Sequence, residues 1–401
     1  MTMRDFWWQR EDLAYVDGDL TFAGRSVQAL AESHGTPLYL YNAHRLIDNL
    51  ERLHDALDAR GLRHRIFYAM KSNRFAPLLT YLKTVGRNGI DCCSPGEMLL
   101  AQQCGFLPEE ISYTGTSLST PDYEKLARNP GVRLNVDSLT AIRRVGELCP
   151  GRRVGLRINP ALGVGYESNE LLRYAGERTT KFGIYREQFG DALALARSYG
   201  LEIAGIHLHT GCGYLSKQLP AWKTILNEAL WFIDRIPDIE YVNVGGGLGI
   251  PLVADDSALD LGEWSGTLAE VFDGRGFEIW AEPGDYIAKD AGVLVLQANS
   301  VERKRDTVFV GVDGGFNIHI EPVVYNLPIE PAPCRWSADV DTETVTIAGN
   351  INEAMDLVAQ NVEMPLPVEG DYIAFLNAGG YGAAMSSNHC MRGQFTEMLL
   401  L

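Results

Sequence analysis

The chain contains no apolar run that approaches the length of a membrane span, so we expect no transmembrane helix. Its first ten residues carry charges and two tryptophans but no continuous apolar region, so a cleaved signal segment is not expected either. Only 35 lysines and arginines stand against 52 aspartates and glutamates, which leaves a formal net charge of -17. This acidic balance argues against non-specific nucleic-acid binding and against anionic membrane surfaces.

Cysteine is scarce, and its pattern excludes further classes of protein. Seven cysteines, an odd number in a chain without a signal segment, predict reduced thiols in a cytoplasmic protein. Cys92 and Cys93 are adjacent and the others are scattered, so the spacing of zinc ligands is absent and we predict no bound metal. No low-complexity run or short fixed repeat is present, and 401 residues suffice for two domains.

Short β-branched or aromatic runs alternate with segments of helical periodicity in the first two thirds of the chain. Eight such runs predict strands, at residues 65–70, 89–93, 111–114, 132–136, 154–158, 203–207, 241–244 and 277–281. The helical segments between them include residues 95–104, 138–148, 186–199 and 215–236. This alternation predicts an α/β fold with a (β/α)8 TIM-like barrel, and a doubly wound sheet is the competing interpretation.

The pattern changes beyond about residue 290, where strands are predicted at residues 293–297, 307–312, 344–347 and 372–375. A helix is expected there only near residues 351–360. Before the barrel, residues 13–22 resemble a hairpin around Asp17-Gly18-Asp19, and residues 37–41 lead into a helix at 43–59. We therefore predict a barrel domain over residues 38–285 and an all-β domain built from residues 1–37 and 286–401.

Lys71 ends the first predicted barrel strand, and a polar turn follows it at once. Burial disfavours a charged amine, so we expect the pKa of Lys71 to be lowered, and a neutral amine is the form that condenses with an aldehyde. Taken alone, Lys71 is better explained as a lysine whose ammonium extends from the strand end into water.

Four further groups of residues follow other strands or turns. Gly245-Gly246-Gly247 follows the seventh strand and either cradles a phosphate or makes a tight turn, whereas Ile250 breaks the dinucleotide fingerprint. His207 and His209 follow the sixth strand without a third metal ligand, so an imidazole packed on an aromatic ligand is the better interpretation. Glu282 ends the eighth strand, and Tyr381 lies in a glycine-rich turn. Pyridoxal 5'-phosphate needs four groups of this kind: an amine, a phosphate cradle, a stacking imidazole and a carboxylate for its ring nitrogen.

At these residues the chain resembles the fold-type III pyridoxal 5'-phosphate decarboxylases, whose barrel is like that of alanine racemase. It is similar to their diaminopimelate decarboxylase-like group, which includes ornithine and arginine decarboxylases. The motifs that carry the resemblance span almost the whole chain: F-Y-A-M-K-S-N at 67–73, D-C-C-S-P-G-E at 91–97, L-R-I-N-P at 156–160, T-K-F-G-I at 180–184, H-x-H-x-G at 207–211, G-G-G-L-G at 245–249, E-P-G at 282–284 and A-G-G-Y-G-A-A-M-S-S-N at 378–388.

The resemblance implies a role for each of these residues. Lys71 would link covalently to the cofactor, His209 would stack on its ring, and Glu282 would keep the ring nitrogen protonated. Its phosphate would be held by Gly245, Gly246, Gly247 and Tyr381, with Cys212 where the family usually has a serine. The resemblance also implies a homodimer in which each site borrows residues from the partner's β domain.

Three further positions depart from the family pattern. The family's catalytic cysteine lies in a G-x-x-C-E motif, but this chain has Asn352 followed by Glu353, and an amide does not donate a proton to a carbanion. Reprotonation would then fall to Lys71, to water, or to another group such as His389 or Cys390.

The other two departures replace arginines that help diaminopimelate decarboxylases to recognise the distal carboxylate. Asp285 follows E-P-G, and Glu321 opens an E-P-V-V-Y stretch that ends at Tyr325. Acids there should repel a carboxylate by about a kcal/mol or more if partly buried. Because the family that this chain resembles includes members recruited to secondary pathways, the favoured substrate is a citryl-amino-acid intermediate of carboxylate siderophore synthesis, with Asp285 and Glu321 facing away from its anionic group. A basic amino acid such as lysine or ornithine fits the local charge better and stays in consideration.

Three other functions remain as alternatives to that one. The first two are the diaminopimelate decarboxylase of lysine biosynthesis and an amino-acid racemase on the same fold. Racemases of this fold tend to pair the ring nitrogen with arginine, so Glu282 favours the decarboxylase. The third is a degenerate, non-catalytic homologue, which should have lost the cofactor residues that this chain keeps.

Overall fold

The structure, a computed structural model, describes residues 6–166, 169–172, 174–176, 178–337 and 339–401. The chain divides into two compact units. The barrel unit comprises Asn49–Ile250 and Ser257–Ile287, and the β unit comprises Met1–Asp48, Pro251–Asp256 and Ala288–Leu401. The functional domain boundaries at residues 37/38 and 285/286 stay a prediction.

The secondary structure is numbered in chain order. The strands are β1 Leu13–Val16, β2 Asp19–Phe22, β3 Arg25–Ser26, β4 Leu38–Asn42, β5 His64–Ala69, β6 Gly89–Cys92, β7 Ile111–Thr114, β8 Arg133–Val136, β9 Arg153–Arg157, β10 Val164–Gly165, β11 Glu202–His207, β12 Gly211–Cys212, β13 Tyr241–Asn243, β14 Glu278–Ala281, β15 Gly292–Lys304, β16 Thr307–Val312, β17 Pro331–Pro333, β18 Thr342–Ala348, β19 Leu357–Pro365, β20 Tyr372–Phe375 and β21 Thr396–Leu400. The helices are α1 Val27–His34, α2 Ala43–Asp58, α3 Ala76–Val85, α4 Pro95–Gln103, α5 Thr120–Ala127, α6 Leu139–Leu148, α7 Arg186–Ser198, α8 Leu219–Ile233, α9 Leu261–Val271, α10 Asp285–Ala288 and α11 Glu321–Val324.

The predicted barrel is confirmed. Eight parallel strands close in the order β11-β13-β14-β5-β6-β7-β8-β9, and each lies within one residue of its predicted position. Inside the barrel the rings of Tyr241 and Trp280 stack at 3.6 Å, against Phe67. Gly205 makes room for this stack, because a side-chain carbon there would lie 2.6 Å from the ring of Tyr241. The interior is thus filled by side chains, and the polar groups collect where the parallel strands end.

The β unit contains a sheet in the order β17-β20-β15-β16-β18-β19, and β4 joins it by pairing with both β15 and β21. The predicted hairpin is present as β1 and β2, whose turn residues Asp17 and Gly18 have φ of 50° and 81°. Positive φ at both positions suits a two-residue hairpin turn, and glycine adopts it without steric cost. The hairpin packs Leu13, Leu20 and Phe22 into the same apolar core as β4 and β15.

One local expectation is wrong. Residues 351–360, expected to be helical, form a turn followed by β19, which pairs antiparallel with β18. The pairing places Val362 opposite Val345 and Ala359 opposite Ile347. Helix propensity in such a short segment is worth little against the hydrogen bonds and burial that a sheet edge supplies.

No helix within the described ranges combines the length and the apolar character that a membrane crossing needs.

Candidate active site

Lys71 lies two residues beyond the end of β5, in a turn that is fixed on both sides. The Met70 N–H donates to the Asp91 carbonyl at 3.0 Å, and the Ser72 N–H donates to the Ala69 carbonyl at 3.0 Å. The side chain of Lys71 is half-buried. Strand β6 therefore holds the backbone before Lys71, and the tight turn holds the backbone after it.

The electrostatics of Lys71 differ from the expectation. Burial by itself lowers the pKa of Lys71, but the carboxylate of Asp91 and the Cys93 thiol outweigh burial, so its pKa is raised. Burial and the charge of Glu282 in turn raise the pKa of Asp91 well above its usual range. One Asp91 oxygen, Oδ1, is buried without a hydrogen-bond partner among the described residues. Lys71 is thus held as an ammonium beside a carboxyl group that can exchange a proton with it.

Glu282 follows β14 and accepts three hydrogen bonds inside the barrel. Ser112 Oγ donates to Oε1 at 2.8 Å, Asn243 Nδ2 donates to Oε1 at 2.6 Å, and His207 Nε2 lies 2.9 Å from Oε2. Ser112 also receives a bond of 3.4 Å from Asn135 Nδ2. The side chains of Glu282, Ser112, Asn135, His207 and Asn243 are all buried. Residues from four other strands or strand ends therefore hold the Glu282 carboxylate in one orientation, directly or through Ser112.

The protonation states in this network follow from its donors. Burial by itself raises the pKa of Glu282, but His207 and the hydrogen bonds from Ser112 and Asn243 outweigh burial and lower it to about 2. Burial lowers the pKa of His207, although Glu282 opposes this. A neutral His207 with its proton on Nε2 donates to Glu282, and its Nδ1 has no partner within the described structure. Glu282 is therefore ionised at neutral pH.

The glycine turn after β13 packs against the ends of neighbouring strands. Gly245 and Gly247 have φ of 72° and 95°, and a side-chain carbon on Gly245 would lie 2.5 Å from the Leu208 carbonyl oxygen. A side-chain carbon on Gly246 would overlap the Glu282 carbonyl oxygen. Only glycine fits at these positions, so the turn packs directly against the neighbouring strand ends.

His209 lies beside this turn. Its Nδ1 accepts from the Gly246 N–H at 3.3 Å, and the Tyr174 ring meets it edge-on at 4.7 Å. Burial, Lys71 and Arg157 lower the pKa of His209 well below its usual value, so the ring is neutral. A neutral imidazole that is fixed on one edge suits stacking on an aromatic ring.

These residues fit pyridoxal 5'-phosphate. Four groups supply what an aldehyde-bearing, phosphorylated pyridinium would need. They are the unpartnered buried oxygen of Asp91, the glycine turn, the neutral imidazole of His209 and the ionised Glu282. Lys71 is the amine to which it would be joined. When bound, the cofactor supplies an electron sink for a carbanion at the substrate's α-carbon.

Several residues of this site were not assigned a role from the sequence. Asp91 and Arg157 lie in the D-C-C-S-P-G-E and L-R-I-N-P motifs, and Ser112 and Asn243 are polar residues inside strands that otherwise look apolar. Burial lowers the pKa of Arg157, whose guanidinium lies 4.7 Å over the Phe182 ring. A polar residue at an inward strand position is the signal that could have identified Ser112 and Asn243.

The other predicted residues of the barrel unit lie at its loops. Cys212 ends β12, and its thiol donates to the Leu172 carbonyl at 3.6 Å. Asp285 is the first residue of α10 and is buried.

The β unit holds the remaining predicted residues, in two places. Glu321 begins α11 and binds the Lys289 ammonium with Oε1 at 2.8 Å and Oε2 at 2.7 Å, both side chains being buried. The same ammonium lies 5.9 Å over the Tyr381 ring. Tyr325 follows α11. Because Lys289 neutralises Glu321, the expected repulsion of a distal carboxylate by Glu321 loses its basis.

Asn352 and Glu353 occupy the exposed turn before β19. His389 Nε2 lies 3.3 Å from Glu353 Oε1. The loop that follows residue 386 therefore contacts the turn that carries Asn352.

We predict that Glu282→Gln keeps the fold but loses most of the rate. The amide can still accept from Ser112 and Asn243, but it is neutral and cannot hold a proton on a ring nitrogen. We expect kcat for CO2 release to fall about 10²-fold or more, with the absorbance band of the bound cofactor retained. The matched control is Glu278→Gln, the same substitution in β14, the strand that Glu282 follows. A normal kcat for Glu282→Gln would contradict the assignment.

Comparison with known proteins agrees with this arrangement. A family model described as pyridoxal-dependent decarboxylase, pyridoxal binding domain, matches residues 44–289. The diaminopimelate decarboxylase of Methanothermobacter thermautotrophicus is 32% identical over 394 residues, which cover 96% of this chain and 91% of the relative. That of Deinococcus radiodurans is 33% identical over 383 residues, which cover 95% and 94%.

Solved structures share the fold over nearly the whole chain. A crystal structure from Aquifex aeolicus matches with a TM-score of 0.87 and 29% identity, covering 97% of this chain and 92% of that one. The diaminopimelate decarboxylase of M. jannaschii in co-complex with L-lysine matches with a TM-score of 0.88 and 24% identity, covering 97% and 93%.

Proposed function

Because this chain belongs to the pyridoxal-dependent decarboxylase family, in its diaminopimelate decarboxylase-like group, we propose that it removes one α-carboxylate from diaminopimelate. The observation that carries the reaction class is the set of Lys71, His209 and Glu282 beside the glycine turn, of which Lys71 and His209 are half-buried and Glu282 is buried. The substrate rests on relatives that are 32% and 33% identical over 96% and 95% of the chain and are named diaminopimelate decarboxylase. L-Lysine, bound in the M. jannaschii structure, is what diaminopimelate becomes when it loses one carboxylate.

In this proposal each side chain has one task. Lys71 would hold the cofactor aldehyde through its amine, and Asp91 would exchange a proton with that amine. His209 covers one face of the ring and keeps water from it. Glu282 holds the proton on the ring nitrogen, oriented by His207. The glycine turn would hold the cofactor's phosphate.

A homodimer with shared sites and a place in the cytoplasm are further parts of the proposal, carried by the family resemblance and by the composition. A racemase is disfavoured because Glu282 is ionised and holds the position that would oppose the ring nitrogen. The relatives compared above are named diaminopimelate decarboxylase, so diaminopimelate replaces the citryl-amino-acid substrate as the first candidate.

A basic amino acid is the second candidate, and one observation favours it. Two acids, Asp285 and Glu321, stand where the sequence comparison expects arginines, so a cation that would bind the distal carboxylate of diaminopimelate is missing at both positions. Lys289 partly offsets this loss, because it brings a positive charge to Glu321. A distal ammonium would need no such arginine.

A substrate panel decides between these candidates. We expect CO2 release from meso-diaminopimelate with kcat/KM at least about tenfold above that for lysine, ornithine or arginine, a preference worth about 1.4 kcal/mol. Citryl conjugates of serine and diaminopropionate complete the panel. Faster turnover of lysine or ornithine would favour the second candidate, and no CO2 from any member would refute the proposed function.

The variant Lys289→Ala/Glu321→Arg is the matched probe for the substrate's distal end. It restores an arginine without placing two buried cations together, so it should shift the preference further toward meso-diaminopimelate. An unchanged preference would show that Glu321 does not contribute to substrate recognition.

A further inference from the structure

Arg133 is the first residue of β8, so it lies at the end of the barrel where the parallel strands begin. Two residues later, the Asn135 side chain bonds to Ser112 and Tyr241 inside the barrel. Because alternate residues of a strand face the same side, Arg133 also faces the interior. The candidate active site lies at the other ends of the strands, so Arg133 belongs to the opposite end of the barrel.

The Arg133 guanidinium is half-buried and has no partner. Within the described ranges it forms no hydrogen bond or ion pair, and its Nε is buried without an acceptor. A cation that has lost part of its hydration is costly without a partner, so this guanidinium indicates a site for an anionic group. Other charged side chains at this end are paired, with N–O distances of 3.1 Å for Arg65 and Glu278, 2.6 Å for Lys83 and Glu110, and 3.0 Å for Arg153 and Glu202.

Arg133 lines a cavity of about 490 Å³, which is within the size range of small-molecule sites. Tyr241 also lines it, and two residues further along the chain Asn243 donates to Glu282. One layer of side chains therefore separates this cavity from the candidate active site. Most of the cavity walls are apolar, and they include Ala127, Pro130, Val132, Leu134, Val154 and Ala204.

Three other charged side chains line the cavity, and two of them are already bound. Arg152 donates to three backbone carbonyls at 2.7 to 3.2 Å, and Arg153 pairs with two glutamates. The third, Glu109, is exposed. The charge of Arg133 acts on the cavity wall, because burial raises the pKa of Tyr241 and Arg133 opposes this rise. Of the three arginines described here, Arg133 is therefore the one left for a ligand.

We propose that this cavity binds a small organic carboxylate, whose oxygens pair with the Arg133 guanidinium and whose apolar body packs on the walls. A guanidinium presents two N–H groups in the geometry that a carboxylate accepts, and such charged pairs are stronger than neutral hydrogen bonds. The apolar walls favour an organic acid over an inorganic ion, because only the organic acid covers them. The site is separate from the proposed decarboxylation, so its test does not depend on the substrate.

The binding test follows 4-fluorobenzoate by 19F NMR in the holoenzyme, with 4-fluorobenzamide as an uncharged ligand of similar shape. We expect 4-fluorobenzoate to bind with a Kd of about 1 mM or below, and the amide to bind at least about tenfold more weakly. Arg133→Gln should weaken the binding of 4-fluorobenzoate at least about tenfold. Arg133→Lys should weaken it less, because it keeps the charge and loses only the planar fork.

Arg143→Gln is the matched control, because Arg143 pairs with Glu147 on an exposed helix surface and does not line the cavity. It should bind 4-fluorobenzoate as the unaltered protein does. Equal binding by Arg133→Gln and the unaltered protein would overturn the proposal, since the ligand would then occupy another site. Absence of 4-fluorobenzoate binding, or binding of inorganic phosphate at Arg133 in its place, would also overturn it.

A stability measurement separates a ligand-binding arginine from a structural one. Without ligand, Arg133→Leu should leave the urea midpoint unchanged or raise it, because no described partner is lost. Arg152→Leu should lower the midpoint, because three backbone carbonyls lose their donor. If Arg133→Leu lowered the midpoint as much as Arg152→Leu, Arg133 would be a structural residue and the proposal would fail.

Discussion

Lys71→Ala should abolish covalent cofactor binding and lower CO2 release by at least about 10³-fold, because it removes the amine that would form the linkage. Asp91, oriented beside Lys71 through the Met70 backbone, would lose the ammonium with which it exchanges a proton. The measurement is an absorbance scan with a rate assay, followed by borohydride reduction and mass determination. Reduction should fix the cofactor to the unaltered chain and not to the variant.

Lys223→Ala is the control for this prediction. Lys223 forms an exposed pair with Glu270, so its loss should leave the absorbance band, the adduct and the rate unchanged. An unchanged band in Lys71→Ala would show that the cofactor joins another residue, and the whole assignment of the barrel site would then fail.

Removing one member of the buried Lys289–Glu321 pair should destabilise the protein by about 3–5 kcal/mol, because the charge that remains is buried without its partner. The two hydrogen bonds of 2.8 and 2.7 Å and the burial of both side chains carry this expectation. Glu321→Gln and Lys289→Met should each lower the urea midpoint. The double variant should recover most of the loss, because it leaves no unpaired charge.

The exposed pair Lys223–Glu270, with N–O distance 2.6 Å, is the comparison for the buried pair. Glu270→Gln should cost about 0–1 kcal/mol, since water screens both charges. If Glu321→Gln were as mild as Glu270→Gln, the pair would not be desolvated in solution, and the argument that Lys289 neutralises Glu321 would fail.

The sequence predicted most of the barrel because its information is local. Each barrel strand is a short apolar run, and each run ends in the residues that parallel strands place at one rim. The motifs around Lys71, His209 and Glu282 are also contiguous, so the family and its cofactor could be identified without coordinates. The helix predicted at residues 351–360 was wrong for the opposite reason. The conformation of this segment depends on pairing with β18 and not on its own residues.

The sequence alone therefore determined the eight-stranded barrel, the family and its cofactor, whereas the roles of Lys71 and Asn352 stay predictions. Only the tertiary structure decided which charged groups lie close together and how they shift one another's pKa. Asp91, 20 positions from Lys71, reverses the direction in which burial would move the lysine's pKa. Lys289 neutralises Glu321, and Glu353 meets His389, 36 positions away. Protonation depends on which groups lie within a few ångströms, and for residues so far apart along the chain the fold alone sets that distance.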